Sequence, residues 1–219
     1  MHAFFKRVLL FVLRHATSAI YCCFSSLPYF HFIRRTRQDQ CRITFKIWFI
    51  QKVLGINRDV YWPVHYTSKI NQYKNIQIGI DTSPGYEPGC YIQGIGKVYI
   101  GNYTQIAANV GIISANHDVY DSRKHLPSTV RIGSYCWLGM GTIVLPGVQL
   151  GDFTIVAAGS IVTKSFVDGH CVIAGNPARE VKKLIVEKCI RYKNKNEYIG
   201  YYAKEEFSKY KDNNLWIKD

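Results

Sequence analysis

A polar segment in the middle of the chain holds the residue best suited to moving a proton. His117 is flanked by Asn116 and Asp118 in the run SANHDVYDSRKHLPSTV, which interrupts a largely apolar stretch. Histidine is the side chain that changes its charge near neutral pH, so it can take a proton from a hydroxyl group and later return it. The segment therefore predicts a general base at His117. The competing interpretation is a loop histidine that only bonds neighbouring backbone groups.

The sequence around this segment repeats every six residues. Branched aliphatic residues occupy each step, small residues mostly follow four places later, and glycine directly follows several of the aliphatic residues. The aliphatic steps are Ile100, Ile106, Ile112, Ile132, Leu138, Val144, Leu150, Val156 and Val162. A six-residue period fits neither an α-helix nor an isolated strand and is typical of a parallel β-helix, whose coils stack these aliphatic residues inward. The prediction is an all-β solenoid.

The repeat is broken in three places. Ile112 and Ile132 are not separated by a multiple of six, so residues 114–130 must leave the coils and return, as functional loops on rigid scaffolds often do. Asp81–Tyr91 forms a second, turn-rich break. Asp168 occupies the next inward position after Val162, which predicts that the coils end near residues 175–177.

These breaks divide the chain into three segments. We expect residues 1–70 to form a basic, aromatic, partly helical N-terminal extension. Residues 71–177 are the β-helix with its excursion loop, 114–130. Residues 178–219 are a C-terminal helix and a polar tail, because aliphatic residues in Arg179–Arg191 follow roughly helical spacing and the open end of a solenoid requires a cap.

Charge and cysteine content narrow the expected partners and the compartment. The formal net charge is +13, but the cations are dispersed over both ends without a recognition motif, so nucleic acid is not expected. Seven cysteines with no CxxC pair indicate reduced thiols in a cytoplasmic protein. Residues 1–20 are basic and apolar, which fits either a peripheral helix on the cytoplasmic face of a membrane or a helix packed on protein.

Residues 136–179, CWLGMGTIVLPGVQLGDFTIVAAGSIVTKSFVDGHCVIAGNPAR, resemble the hexapeptide-repeat acetyltransferases. The similarity is greatest to the sugar O-acetyltransferases, and IGNYTQIAANVGIISANHDVYD looks like the exopolysaccharide and capsule O-acetyltransferases among them. The resemblance covers roughly residues 76–180. It implies left-handed coils and a homotrimer with sites between neighbouring prisms. It also implies acetyl-CoA as donor, a carbohydrate hydroxyl as acceptor and no metal.

The same resemblance implies roles for further residues. Asn109 matches an asparagine whose amide can donate to the substrate hydroxyl or the developing oxyanion, although an asparagine at a coil corner is the plain alternative. Acceptor binding is expected at Asn116, Asp118, Tyr120 and Trp137, with Asp118 as a possible orienting partner of His117. Contacts to acetyl-CoA are expected at Trp137, Gly139, Met140, Ala157, Ala158, Thr163, Lys164, Arg179, Lys182 and Lys183.

Other functions remain open from the sequence. An N-acetyltransferase acting on an amino sugar or another amine would share the same coils. A metal protein of the γ-carbonic-anhydrase kind would need three converging histidines, and His117, His125 and His170 are the candidates. A non-catalytic scaffold would use the coils without needing the polar loop.

Overall fold

The computed structural model describes residues 27–217. Eighteen short strands make up most of the regular structure. They are β1 Lys69–Asn71, β2 Ile76–Ile78, β3 Tyr91–Gln93, β4 Val98–Ile100, β5 Gln105–Ile106, β6 Gly111–Ile112, β7 Ala115–His117, β8 His125–Pro127, β9 Val130–Ile132, β10 Trp137–Leu138, β11 Ile143–Val144, β12 Gln149–Leu150, β13 Thr154–Val156, β14 Ile161–Val162, β15 Cys171–Gly175, β16 Ala178–Lys183, β17 Tyr198–Ile199 and β18 Tyr202–Ala203.

The helical segments lie mainly at the two ends of the described chain. The α-helices are His31–Arg35, Phe45–Trp48 and Lys204–Asn214; a π-helical turn is Phe49–Val53; and the 3-10 turns are Pro28–Phe30, Tyr73–Asn75 and Val186–Lys188. No helix within residues 27–217 is long and apolar enough to cross a bilayer. Residues 1–20, the expected membrane-contacting segment, lie outside the described part of the chain.

Three parallel sheets form the sides of the solenoid. The first sheet has the order β1-β3-β6-β11-β14, the second β2-β4-β9-β12, and the third β5-β10-β13-β15-β16, where only the last pair is antiparallel. The aliphatic steps stack in register: Ile132 pairs with Leu150, Leu138 with Val156, and Val144 with Val162. All six are buried in one continuous core, which confirms the parallel β-solenoid predicted from the six-residue period.

The excursion between β6 and β9 is a hairpin rather than an irregular loop. Strands β7 and β8 pair antiparallel, with Ala115 opposite Pro127 and His117 opposite His125. The backbone N–H of Ser128 donates to the carbonyl oxygen of Ser114 at 2.8 Å and closes the base of the hairpin. The polar segment therefore projects from the solenoid on two hydrogen-bonded strands.

The expected helix over Arg179–Arg191 is wrong. This region begins with β16, which pairs with β15 and so satisfies backbone groups that the end of the third sheet would leave unpaired. Its aliphatic residues, such as Val181 and Ile190, are mostly exposed, so their spacing does not mark a core-facing helix. The actual C-terminal helix, Lys204–Asn214, packs Phe207 against Tyr61 at the opposite end of the solenoid.

The last coil also departs from the expected register. Phe166, not Asp168, pairs with Leu150, and Asp168 is exposed. A carboxylate is costly to bury without a partner, whereas a phenyl ring gains from burial. The chain therefore shortens this step by two residues and keeps an apolar side chain against the core.

Candidate functional site

The hairpin presents His117 at the surface with one ring nitrogen already bonded. Nδ1 of His117 lies 2.5 Å from the carbonyl oxygen of Ser122, and the imidazole lies 4.5 Å, centroid to centroid, from that of His125. A carbonyl oxygen can only accept, so Nδ1 donates and carries the proton in the neutral ring. Nε2 is then left with its lone pair. The arrangement is that of a base oriented by its backbone.

Asp118 shapes the turn instead of orienting His117. Its Oδ1 accepts from the backbone N–H of Tyr120 at 2.8 Å and of Asp121 at 3.0 Å, as in an Asx turn. The orienting role suggested for Asp118 therefore belongs to the Ser122 carbonyl. Tyr120 is 97% exposed and Asn116 is also exposed, so the acceptor-binding residues expected on the hairpin face solvent in the single chain.

Asn109 stands at a coil corner that requires a left-handed backbone. Its φ is +59°, and the residues in the same position of other coils are Gly89 at +73°, Gly141 at +71° and Gly159 at +70°. Asparagine is one of the few residues other than glycine that tolerate this conformation. The corner interpretation thus accounts for the residue type at Asn109, and its exposed amide is still available to a ligand.

Small residues line the edge between successive coils, where the acetyl-CoA groove is expected. The backbone N–H of Gly139 donates to Val156 at 2.8 Å, and a Cβ atom on Gly139 would lie only 2.6 Å from the nitrogen of Ala158. Ala157 and Ala158 continue this edge, with Met140 exposed beside it. The structure therefore brings together four of the expected groove residues, with Met140 and Ala158 exposed and Gly139 buried against the next coil.

The expected phosphate-binding cations fall into two places. Arg179, Lys182 and Lys183 are exposed along β16, the last strand of the third sheet. Thr163 and Lys164 follow β14 at the end of the first sheet, and the Lys164 ammonium packs 5.5 Å from the centroid of Phe166. The cations expected to form one cluster are thus three residues of one strand, of which the adjacent Lys182 and Lys183 point to opposite faces, together with a separately placed lysine.

Beside Trp137 lies a cavity of about 300 Å³ that sequence reasoning missed. The N-terminal extension, the loop after Asp81 and the outer face of the third sheet all contribute to it. Its walls include Gln40, Cys41, Tyr86, Glu87, Gln105, Trp137 and Met140. The repeat pattern could not indicate the first four of these residues, because they lie outside the six-residue repeats and in segments without a motif. Only Trp137 and Met140 carried a signal.

Acidic groups lie next to this cavity. Burial, and next the neighbouring Asp81, raise the pKa of Asp39 to about 6, while a hydrogen bond from Asn194 lowers it. Burial also raises the pKa of Asp81, and of the Cys41 thiol beside it, so Cys41 is not a ready nucleophile. The wall that the extension contributes is therefore weakly anionic and chemically inert.

The three histidines of a γ-carbonic-anhydrase-like site do not come together. His117 and His125 share the hairpin, whereas His170 stacks 5.2 Å from Phe153 at the end of an aromatic column on another corner of the solenoid. Within residues 27–217, no group of three or more histidine, cysteine or acidic side chains is placed to hold a metal ion.

Comparisons with known proteins agree with this fold. Residues 129–164 match the family described as bacterial transferase hexapeptide (six repeats). The chain is 38% identical over 91 residues to a galactoside O-acetyltransferase of Lactococcus lactis, a match that covers 40% of this chain and 44% of that protein. It is 37% identical over 92 residues to a Saccharomyces cerevisiae protein, of which it covers 46%. The chain thus spans less than half the length of these relatives.

Solved structures extend the similarity over more of the chain. A maltose O-acetyltransferase from Clostridium difficile 630 superposes with a TM-score of 0.51 at 28% identity, covering 69% of this chain and 83% of that one. A galactoside acetyltransferase in complex with coenzyme A superposes with a TM-score of 0.50 at 25% identity, covering 64% and 70%. The resemblance to hexapeptide-repeat sugar acetyltransferases stated from the sequence is thereby confirmed.

Proposed function

We propose that this chain, which is similar in its repeats to the hexapeptide-repeat acetyltransferases, transfers an acetyl group from acetyl-CoA to a sugar hydroxyl. The observation that carries the proposal is His117, held by the Ser122 carbonyl on a hairpin that leaves the solenoid and oriented with Nε2 free. The galactoside and maltose O-acetyltransferases that share its fold support the sugar as acceptor. Synthesis of a capsule, exopolysaccharide or other surface glycan is the role we favour.

The chemistry requires one base and no covalent enzyme intermediate. Nε2 of His117 takes the proton of the acceptor hydroxyl as its oxygen attacks the thioester carbonyl carbon. The tetrahedral intermediate collapses, the carbon–sulfur bond breaks, and the leaving thiolate receives the proton from Nε2. The amide of Asn109 donates to the oxyanion or to the attacking hydroxyl. The products are the O-acetyl sugar and free coenzyme A.

Acetyl-CoA is proposed to bind along the edge formed by Gly139, Met140, Ala157 and Ala158. The exposed Ala158 has little side-chain bulk, and the exposed Met140 beside it offers an apolar contact, which supports an approach of the peptide-like pantetheine arm along this edge. The cations on β16, with Lys164, suit the pyrophosphate and ribose phosphate. A galactoside acetyltransferase of the same fold that was solved with coenzyme A supports this donor.

Assembly and location are part of the same proposal. We propose left-handed coils and a homotrimer, in which a neighbouring copy covers the exposed His117. We also propose that the protein is cytoplasmic and touches the membrane through residues 1–20. Within the first part of the described chain, the apolar side chains of Tyr29, Phe49 and Leu54 are exposed, which supports contact with a membrane there. Flotation with anionic vesicles, with and without residues 2–20, tests this contact.

The decisive experiment follows thiol release from acetyl-CoA with a panel of sugars, oligosaccharides and amines. We expect release that depends on a sugar and falls about 100-fold or more in His117→Ala, because a general base is lost. The His65→Ala variant, which removes a half-buried histidine outside the hairpin, is the control and should match the wild type. Release that is greatest with amines, or undiminished in His117→Ala, would refute the O-transfer mechanism.

A further inference from the structure

The cavity beside Trp137 is lined partly by polar residues that lie outside the six-residue repeats. We propose that it is the acceptor pocket, that the N-terminal extension forms one of its walls, and that it selects sugars without an anionic group. The inference rests on the proposed acetyl transfer and names its substrate class. Glu87 and Gln40 are the residues to which we assign the selection.

The extension is fastened to the cavity by one carboxylate. Asp81 accepts from the backbone N–H of Cys41 at 2.9 Å and of Gln40 at 3.2 Å, and the Gln40 amide reaches back to the Asp81 carbonyl oxygen at 2.5 Å. Asn194 donates to the same carboxylate at 2.7 Å from the C-terminal segment. Three distant parts of the chain thus meet at Asp81. The wall is held in place before any ligand arrives.

The loop after Asp81 forms the adjoining wall and is also held by a hydrogen bond. The Tyr86 hydroxyl donates to the carbonyl oxygen of Arg42 at 3.0 Å, which ties the loop after Asp81 to the extension. Glu87 follows directly and is exposed at the cavity. Burial is the main cause of the raised pKa values of Cys41 and Tyr86; the charge of Glu87 adds to both, and the nearby Arg42 opposes it at Tyr86. Glu87, Cys41 and Tyr86 line the same cavity.

The lining is suited to a carbohydrate. Trp137 is 52% exposed and pairs in register with Gln105 on the neighbouring strand, so an apolar platform stands beside an amide. Aromatic faces of this kind pack against the apolar side of a sugar ring, and the amides can both donate to and accept from its hydroxyl groups. The Glu87 carboxylate and the Gln40 amide supply further polar groups on the other walls. Among the described residues, that amide retains one free N–H beside its bonds to Asp81 and Tyr192.

Charge decides which sugars fit. Within residues 27–217, Glu87 makes no salt bridge with a lysine, arginine or histidine, and Arg42 does not line the cavity. Asp39 and Asp81 stand behind the same wall. A carboxylate or phosphate on the sugar would face these like charges, whereas a hydroxyl or an ammonium group can donate to Glu87. The positive charge of the whole chain therefore does not determine what this cavity accepts.

Ligand binding tests the pocket independently of catalysis. Saturation-transfer NMR with the full chain compares methyl glucoside with methyl glucuronide, and methyl galactoside with methyl galacturonide, which differ only by the carboxylate. We expect the wild type to bind the neutral member of at least one pair about tenfold more tightly. The preference should shrink to about threefold or less in Glu87→Gln, and Gln40→Ala should weaken binding of both members.

Glu205→Gln is the matched control, because it removes one exposed carboxylate far along the sequence at the start of the C-terminal helix. It should retain the tenfold preference. Equal binding of neutral and acidic sugars by the wild type, no binding of any of the four, or the same effect from Glu205→Gln would overturn the pocket assignment. If His117→Ala still abolishes transfer in that case, only the pocket is wrong. Sugar binding without any transfer would instead refute the proposed function.

Discussion

Nδ1 of His117 donates to the carbonyl oxygen of Ser122 across the turn of the hairpin, at 2.5 Å. Because the acceptor is a backbone oxygen, no side-chain substitution at position 122 removes it. The contact fixes the neutral tautomer that keeps the Nε2 lone pair free, and it fixes the ring plane as well. Residue type at position 117 should therefore affect activity strongly, and residue type at position 122 only weakly.

The first prediction concerns this pair. His117→Ala should lower kcat/KM for acetyl transfer by about 100-fold or more, because proton removal from the acceptor loses its base. Ser122→Ala should lie within about twofold of the wild type, since the accepting carbonyl remains. Thiol release measured under identical conditions compares the two variants.

His125→Ala provides the contrast within the same hairpin. His125 lies opposite His117, but its ring has no comparable backbone bond among the contacts of the described residues. We expect a loss of about tenfold or less. A larger loss in His125→Ala than in His117→Ala would mean that His125, and not His117, is the base.

The solenoid could be predicted because its cause is local and repeated. Each aliphatic residue from Ile132 to Val162 points inward for the same reason, and the stacked pairs such as Leu138 with Val156 follow from the period alone. The departure at Asp168 had a local cause too, since a carboxylate does not replace an aliphatic residue in the core. The pattern predicted an interruption there, but not that Phe166 would substitute.

The rest depends on contacts between distant residues, which no period encodes. Val181 and Ile185 have the spacing of a helix, but both are exposed. The segment that begins at β16 forms a strand instead, because it pairs with the edge of the sheet that β15 would otherwise leave unpaired. The cavity depends on Asp81 joining Gln40 to Asn194, a meeting of three segments far apart in sequence. His117 was predictable as a base, whereas its partner Ser122 required the hairpin geometry.

A second prediction separates the two interpretations of Asn109. Asn109→Gly keeps the left-handed corner, because glycine occupies the same position at Gly89, Gly141 and Gly159, while it removes the amide. If the amide stabilises the transition state, as we propose, kcat should fall by about tenfold or more with little change in melting temperature. A variant with unchanged kcat and unchanged stability would mean that Asn109 serves only the corner.

A third prediction concerns two glycines of the coils, Gly139 at the proposed donor groove and Gly159 at the left-handed corner. A Cβ atom at Gly139 would meet the backbone of the next coil at 2.6 Å, so Gly139→Ala should lower the free energy of unfolding by about 2–3 kcal/mol. Gly159→Ala meets nothing within 4 Å, but its φ of +70° makes alanine strained, at a cost of about 1 kcal/mol. Urea denaturation of both variants should rank them in this order. The reverse order would mean that the coils accommodate an added methyl group at a lower cost in free energy of unfolding than the left-handed corner does.

The fourth prediction uses the carboxyl group of Asp39. Burial, and secondarily the charge of Asp81, raise its pKa from 3.8 to about 6. A raised carboxyl pKa means that the folded chain holds the proton more tightly than the unfolded chain. This contribution is complete below about pH 4 and is lost as the pH rises through about 6.

The Asp39→Asn variant has no carboxyl group at position 39, so its stability lacks this dependence on pH. The variant should equal the wild type in free energy of unfolding near pH 4 and exceed it by about 1 kcal/mol at pH 7, a figure reduced because the carboxyl is partly exposed to solvent. Urea denaturation across this range measures the difference, with Asp212→Asn, on the exposed face of the C-terminal helix, as the control for loss of one negative charge. A difference between Asp39→Asn and wild type that stays constant from pH 4 to pH 7 would mean that Asp39 titrates alike in the folded and unfolded chains.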